Sequence, residues 1–362
     1  MTDQIRQIAR EEAKTVVQNE GAIITAEVVN GALKHVSITA APASETTSGG
    51  NINEAINIAA KQAHYRRLQR AIFVPSYFYA DHWLRNQPEG SKWQALAEAA
   101  DVIPFVIINP ASGPGEGPGS DSYTNFANQL KINRDEYGQK AMGYIRTKYG
   151  EEPLDNVIAQ ARNYHDWFGV EDFFLDEAAH GKDDQAPKIA YYTELRARLK
   201  KLFPAGLVVA NPGTLTAEGM LETADYLMTF EREAAAYEAS TWLQENYYAG
   251  QPRQKFWHCI HDVTSFDQAV KILRKAEKLN VGNLYLTNDT IGERGANETN
   301  PYDTIPAAWL WNLQIAWAKG ELNAYLENLK ILETQYAALK ALNAPQEQLT
   351  VLAASIAVIK GE

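Results

Sequence analysis

Eight apolar runs that alternate with amphipathic stretches constrain the fold of this chain more than any other feature of its sequence. Short apolar runs without a helical period are typical of strands that are buried on both faces, whereas the stretches between them have the apolar spacing of helices. The runs span residues 71–77, 102–109, 140–147, 170–176, 206–211, 224–231, 255–261 and 281–289. The helical stretches include residues 121–136, 154–168, 187–202 and 265–279.

This alternation predicts an α/β protein of the (β/α)8 TIM-barrel type, because eight β/α units over this length suggest a closed parallel sheet. A doubly wound open sheet is the alternative. No glycine-rich phosphate loop follows the first run, which weakens a nucleotide-binding version of that alternative.

The two ends of the chain have different patterns from the barrel. Residues 2–18 are predicted to form an amphipathic helix, and Asn30-Gly31 between two β-prone runs predicts a hairpin. The tail is helical, with a last barrel helix followed by a helical hairpin. We therefore predict an N-terminal appendage with a linker, a barrel domain and a C-terminal helical extension, at residues 1–50, 51–319 and 320–362.

Composition and charge exclude several classes of partner. The net charge of −11 argues against a nucleic acid. No run approaches 18 apolar residues, and the N-terminus has no apolar signal core, so no membrane partner is expected. Location stays open between the cytoplasm, a virion and export by a route without a signal. The single cysteine, Cys259, excludes an internal disulfide and a cysteine-rich zinc site.

The histidines do not form a metal-binding pattern. His258 and His261 fall on opposite faces of one strand, because strand side chains alternate. The other candidates are isolated or in a loop, namely His82, His165 and His180. Ser76 lacks the context of a catalytic serine. We therefore expect no metal and no other cofactor.

One strand runs directly into two acids. In VEDFFLDEAAH (170–180), three apolar residues precede Asp176 and Glu177. Unpaired buried charges are strongly disfavoured, so these acids are expected at an open rim, where barrel enzymes bind their ligands. A helix N-cap is the alternative interpretation of Asp176.

Nearly every run ends on a polar or ionisable side chain. Stability of a barrel is served by its opposite end, so a purely structural barrel has no need of this pattern. We predict one polar mouth with three carboxylates, on Asp176, Glu177 and Glu231. Its substrate-binding candidates are Tyr77, Asn109, Thr147, Tyr149, Asn211 and Asp289.

Paired carboxyl groups are what glycoside hydrolysis requires, one protonated to assist the leaving oxygen and one ionised. Glu231 follows an apolar segment and is the candidate for a raised pKa. Asp176 is the candidate ionised partner, and Glu177 is expected to bind a sugar hydroxyl or to tune Asp176. The sequence gives no separation between these groups, so retention and inversion both stay open.

Seven motifs in fixed order resemble the spherulation-specific family 4, or spherulin-4-like, proteins. The resemblance covers about residues 71–312. It is carried by VPSYFYADHW (74–83), IINPASGPG (107–115), GYIRTKYG (143–150), FFLDE (173–177), NPGT (211–214), DYLMTFE (225–231) and LYLTND (284–289).

This resemblance implies a TIM barrel and a glycoside hydrolase that acts on galactosamine-containing exopolysaccharides of biofilm type. It also implies that Asp176 is the nucleophile or charge stabiliser, that Glu177 completes the acidic pair, and that Glu231 is the general acid/base. Members of the family are usually secreted or anchored, whereas no signal is visible in this chain.

The sequence thus predicts an endo-acting hydrolase of an amino-sugar polysaccharide, and an acidic barrel suits a partly deacetylated, cationic glycan. The alternative is a catalytically silent carbohydrate-binding or structural barrel, part of a phage tail or other particle. Attachment to such a particle through residues 1–50, or a homo-oligomer, is a further hypothesis.

Overall fold

The computed structural model describes residues 22–29, 32–40, 69–87, 90–183, 185–240, 246–292 and 300–361, the first two ranges by their backbone alone. The chain divides into two compact units, residues 1–67 and 68–362. The predicted helix at residues 2–18 and the predicted linker lie outside the described residues. The predicted domain boundaries at residues 50 and 319 stay predictions.

The N-terminal unit contains an antiparallel hairpin. Strand β1 (Ala22–Val29) pairs with β2 (Ala32–Ala40), and a bulge lies between Glu27 and Val28. The segment Asn30-Gly31 joins the two strands in the sequence, so the hairpin prediction is confirmed.

The second unit is built around a parallel sheet with helices. Its strand segments are β3 (Ala71–Ile72), β4 (Val74–Ser76), β5 (Phe105–Ile108), β6 (Lys140–Arg146), β7 (Asp172–Asp176), β8 (Val208–Ala210), β9 (Tyr226–Glu233), β10 (Phe256–His261) and β11 (Asn283–Leu286). They are hydrogen-bonded in the order β3-β11-β10-β9-β8-β7-β6-β5-β4.

The sheet closes through its first run, which is interrupted at Phe73. The part before the interruption, β3, pairs with β11, and the part after it, β4, pairs with β5. Because β3 and β4 are consecutive in the chain, the two ends of the strand order meet. The predicted (β/α)8 barrel is therefore confirmed, and the open doubly wound sheet is excluded.

The helices follow the predicted alternation. They are α1 (Lys92–Glu98), α2 (Asp121–Tyr137), α3 (Leu154–Phe168), α4 (Gln185–Leu202), α5 (Ala234–Ala239), α6 (Asn246–Ala249), α7 (Phe266–Lys278), α8 (Ala308–Ala318), α9 (Leu322–Ala341) and α10 (Gln346–Lys360). Side-chain caps at Ser120 and Ser265 begin α2 and α7. Left-handed glycines, Gly138 and Gly169, end α2 and α3.

Aromatic side chains fill the interior of the barrel below the mouth. Phe73 lies 5.6 Å from Trp257 between ring centroids, and Trp257 lies 5.5 Å from Phe174. All three rings are buried. The barrel is therefore a packed core, and polar side chains can meet water only at its rims.

Helices α9 and α10 occupy the segment for which the sequence predicts a helical hairpin. Helix α8 is largely buried, whereas α9 buries only Leu322 and Leu329 among its side chains, and α10 buries none. None of the helices described by the structure combines the length and the apolar character that a membrane span needs.

Helix α3 approaches β6 so closely that Gly143 has no room for a side chain. A Cβ at this position would lie 2.5 Å from the ring of Tyr164, which is fully buried. We expect Gly143→Ala to destabilise the protein by about 1–3 kcal/mol, the usual cost of overpacking. Urea unfolding measures the change.

The paired variant Tyr164→Leu tests the stated cause. If the ring is responsible, Gly143→Ala should cost less in the Tyr164→Leu background than in the parent. Equal costs in both backgrounds would contradict this packing account.

Candidate active site

Strand β7 carries Asp176 to the mouth of the barrel. Alternate residues of a strand share a face, and Phe174 on that face packs against Trp257 in the interior. Asp176 lies two residues further on, at the end of the strand, and its side chain is half-buried. The carboxylate therefore stands directly above the aromatic core.

A β-bulge in β9 brings Glu231 to the same mouth. Met228 is opposite Trp257, but Phe230 is opposite His258, so Thr229 is an extra residue in this strand. Strict alternation from Met228 would turn Glu231 to the outside of the barrel. The extra residue reverses the phase, as bulges next to active sites often do.

The neighbouring strand confirms this change of phase. Outside the barrel, Nδ1 of His258 lies 2.9 Å from the hydroxyl of Tyr237 in α5. Cys259, the next residue, is the pairing partner of Glu231. Glu231 therefore shares the inward face with Cys259.

One amide joins the two carboxylates. The Nδ2 of Asn211 donates to Oδ1 of Asp176 at 2.8 Å and to Oε2 of Glu231 at 2.7 Å. The distance between these two oxygens therefore cannot exceed the sum of the two hydrogen-bond lengths. The orientation of the amide is fixed because Oδ1 of Asn211 accepts from the N–H of Gly213 at 2.9 Å.

Two tyrosines complete the hydrogen bonds of the bridged acids. Tyr144 donates to Oδ2 of Asp176 at 2.7 Å, and Tyr302 donates to Oε1 of Glu231 at 2.8 Å. Tyr77 packs edge-to-face against Tyr144 and Tyr302, at centroid distances of 5.6 and 5.8 Å. The aromatic residues thus hold both carboxylates from opposite sides of Asn211.

This environment favours the protonated form of Glu231. Burial raises the pKa of Glu231, and the negative charge of Asp176 raises it further, while hydrogen bonds from Asn211 and Tyr302 lower it. The net direction is upward, which is what the sequence analysis expects of this residue. Burial and the two carboxylates also raise the pKa of Tyr77 well above 10, so this phenol stays protonated.

Glu177 points away from the bridge although it follows Asp176 in the sequence. Its Oε2 forms an ion pair with Nε of Arg146 at 2.6 Å. Its backbone has a positive φ of 48°, which is uncommon for a residue with a side chain. The hydroxyl of Thr147 lies 3.0 Å from the carbonyl oxygen of Glu177, which also accepts from the N–H of Tyr149.

The six predicted binding residues lie in different surroundings. Tyr77 and Asn211 lie at the carboxylates, and Tyr149 is exposed on the loop that contacts Glu177. The others bond to nearby backbone: Asn109 accepts from the N–H of Gly113, Thr147 contacts the carbonyls of Asp176 and Glu177, and Asp289 accepts from the N–H of Thr290. The substrate-binding roles of all six stay predictions.

Sequence reasoning missed Tyr144 and Tyr302. Tyr144 lies in the middle of β6 and is paired with Phe174, and only the folded structure shows that its hydroxyl reaches Asp176 on the neighbouring strand. Tyr302 lies after the last predicted strand run, in a segment without a motif. Among the described residues, no group of three or more His, Cys, Asp or Glu side chains is arranged to hold a metal ion.

The comparisons with known proteins agree with this architecture. The family model for spherulation-specific family 4 matches residues 71–315. The chain belongs to this family. The match begins at β3 and ends within α8, so it covers the barrel of this spherulin-4-like protein and leaves α9 and α10 outside. No curated protein sequence matches the chain.

Two solved structures are similar to this family member, one of them closely enough to share its fold. Sph3 from Aspergillus clavatus, crystallised in complex with GalNAc, has a TM-score of 0.54 and 22% identity, over 69% of this chain and 97% of that one. A GH18 chitinase from Pseudoalteromonas aurantia has a TM-score of 0.34 and 14% identity, over 53% and 88% of the two chains. At such identities the likeness shows the fold alone, and the lower score supports no further argument.

The electrostatic coupling across the bridge can be measured directly. We expect Asp176→Asn to lower the pKa of Glu231, because it removes the negative charge that opposes ionisation. Titration of ¹³C-labelled glutamate carboxyl groups by NMR measures this pKa. Asp155→Asn, which removes an exposed charge from α3, is the control and should leave it unchanged. An unchanged or higher pKa in Asp176→Asn would contradict the coupling.

Tyr302→Phe should have the opposite effect. The hydrogen bond from Tyr302 favours the ionised form of Glu231, so its loss should raise the pKa of that carboxyl. If Glu231 acts as a general acid, the alkaline limb of the pH dependence of kcat/KM should move to higher pH in this variant. A limb that moves to lower pH would refute this assignment.

Proposed function

We propose that this protein is an endo-acting glycoside hydrolase that cleaves an amino-sugar-containing, galactosamine-type exopolysaccharide. The observation that carries the proposal is the bridge between Asp176 and Glu231 through Asn211, with the pKa of Glu231 raised. Family membership supports the reaction class, and the presence of GalNAc in the Sph3 crystal supports an amino-sugar ligand.

In this mechanism, protonated Glu231 donates its proton to the glycosidic oxygen as the bond to C1 breaks. Ionised Asp176 attacks C1, or stabilises the positive charge that develops there. Water then adds to C1, and Glu231 takes a proton from it, which restores both carboxyl groups. Tyr144 and Asn211 hold Asp176 in position throughout.

The short bridge favours direct attack by Asp176. Retaining enzymes hold their carboxyl groups about 5–5.5 Å apart, whereas inverting enzymes leave about 6.5–9.5 Å for a water molecule. The nearest oxygens of Asp176 and Glu231 share one amide nitrogen as donor. Such a spacing supports a covalent intermediate on Asp176.

Glu177 and Arg146 have a different role in the proposal. Their ion pair lies at the rim, where the Arg146 side chain is half exposed. Such a pair can hydrogen-bond sugar hydroxyls at the rim. The net charge of −11 suits a partly deacetylated glycan with free amino groups.

Isosteric variants test the two catalytic roles. In Glu231→Gln and Asp176→Asn, the new amide can accept from Asn211, while its NH2 donates to a tyrosine oxygen. Each variant should lower the rate of polymer cleavage by about 10²–10⁴-fold. Mass spectrometry of the products from a galactosamine-containing polymer measures the rate.

Folding should survive both changes. The raised pKa of Glu231 means that its ionisation disfavours the folded state, and this cost is present above the folded-state pKa. Glu231→Gln should therefore unfold at no lower temperature than the parent at pH 7. Asp155→Asn serves as the activity control. Cleavage at the parent rate by both active-site variants would refute the proposal, and binding without cleavage by the parent would favour a silent carbohydrate-binding barrel.

A further inference from the structure

Two large aromatic side chains remain exposed beside the mouth of the barrel. Tyr79 is 47% exposed and Trp83 is 49% exposed, both in the loop after β4. Their ring centroids are 6.2 Å apart, with the planes inclined at 51°. Because large rings usually bury most of their surface, adjacent exposed rings next to a candidate active site call for an explanation.

We propose that Tyr79 and Trp83 form a stacking platform for sugar units of a polysaccharide, away from the bond that is cleaved. The identity of the glycan, though not the existence of the platform, rests on the proposed function. The proposal assigns a binding role to Tyr79 and Trp83 of the VPSYFYADHW segment, neither of which has a role in the catalytic proposal.

The platform is continuous with the candidate active site. Tyr77 packs against the two tyrosines that bond to Asp176 and Glu231. Tyr79 follows two residues later, so its Cα lies within about 7 Å of that of Tyr77, and six residues of chain place Trp83 within about 20 Å. These limits keep both rings close to the candidate active site.

The ring of Tyr79 is held by contacts within the protein, and that of Trp83 packs edge-to-face on His82 at a centroid distance of 5.2 Å. The hydroxyl of Tyr79 accepts from Nδ2 of Asn125 at 2.9 Å, and its ring lies 5.5 Å from buried Phe126 at 75°. Fixed aromatic side chains lose little conformational entropy when a ligand binds.

The turn that carries Trp83 is tied to the start of α1. Asp81, immediately before this turn, is buried and accepts from Oγ of Ser91 at 2.5 Å and from the N–H of Lys92 at 2.8 Å. These bonds explain the conformation of the loop, but they do not require a large ring to face water.

The chemistry of the patch fits a sugar better than a protein. A pyranose ring has apolar C–H faces and polar edges, which match an aromatic face bordered by hydrogen-bonding groups. An amino group of a deacetylated sugar gains a cation–π contact in addition. Two rings are far smaller than the roughly 800 Å² that each partner buries in a stable protein interface.

The test compares long and short substrates in the full chain. Trp83→Ala and Tyr79→Ala are each assayed on a galactosamine-containing polymer and on its trisaccharide. The ratio of polymer to trisaccharide kcat/KM should fall about tenfold for Trp83→Ala, since the proposal places this ring at sugar units that only the longer substrate has. Leu342→Ala, which removes an exposed apolar side chain beyond α9, should leave the ratio unchanged.

A binding measurement separates this proposal from the catalytic one. Affinity electrophoresis in gels with the polymer compares Glu231→Gln alone with Glu231→Gln carrying Trp83→Ala. The added change should weaken binding about tenfold, and this result would support the platform even if the parent cleaves no glycan. Equal binding by the two proteins, no binding by either, or an unchanged polymer-to-trisaccharide ratio would overturn the platform.

Discussion

Two carboxyl groups that share one amide donor in a half-buried mouth cannot both be ionised without a large electrostatic cost. In this protein, Asn211 holds Asp176 and Glu231 in that relation. Burial and the charge of Asp176 act in the same direction on Glu231 and raise its pKa. The raised pKa of Glu231 thus arises from its position, and it suits the role of general acid that we propose for this residue.

The barrel creates these positions through local departures from regular structure. The extra residue Thr229 turns Glu231 inward, and Glu177, which has a positive φ, pairs with Arg146 instead of joining the bridged acids. Without the extra residue Glu231 would lie on the outside of the sheet. A positive φ at a side-chain-bearing residue costs about 1–3 kcal/mol, so the surrounding bonds from Thr147 and Tyr149 must hold it.

The sequence was sufficient for the barrel because short apolar runs alternate with helical stretches along the chain, as at α3, which is predicted at residues 154–168 and begins and ends there. The sequence also singled out Asp176 and Glu231, which the structure brings together, although β9 continues past the predicted end at Glu231 to Glu233. It could not predict the bulge at Thr229, because that depends on the pairing of β9 with β10. Nor could it predict Tyr302, whose hydroxyl reaches Glu231 from 71 residues away in the chain.

The tyrosines near the two carboxyl groups keep their protons because they are buried. Burial raises the pKa values of Tyr77, Tyr144 and Tyr302, so these phenols remain donors while Glu231 changes its protonation state. The hydrogen bond from Tyr302 has two effects on Glu231: it stabilises the ionised form, and it fixes the direction of the carboxyl group. The pKa of Glu231 therefore reflects a balance of burial, the charge of Asp176 and two hydrogen bonds. A change in any one of them shifts this pKa.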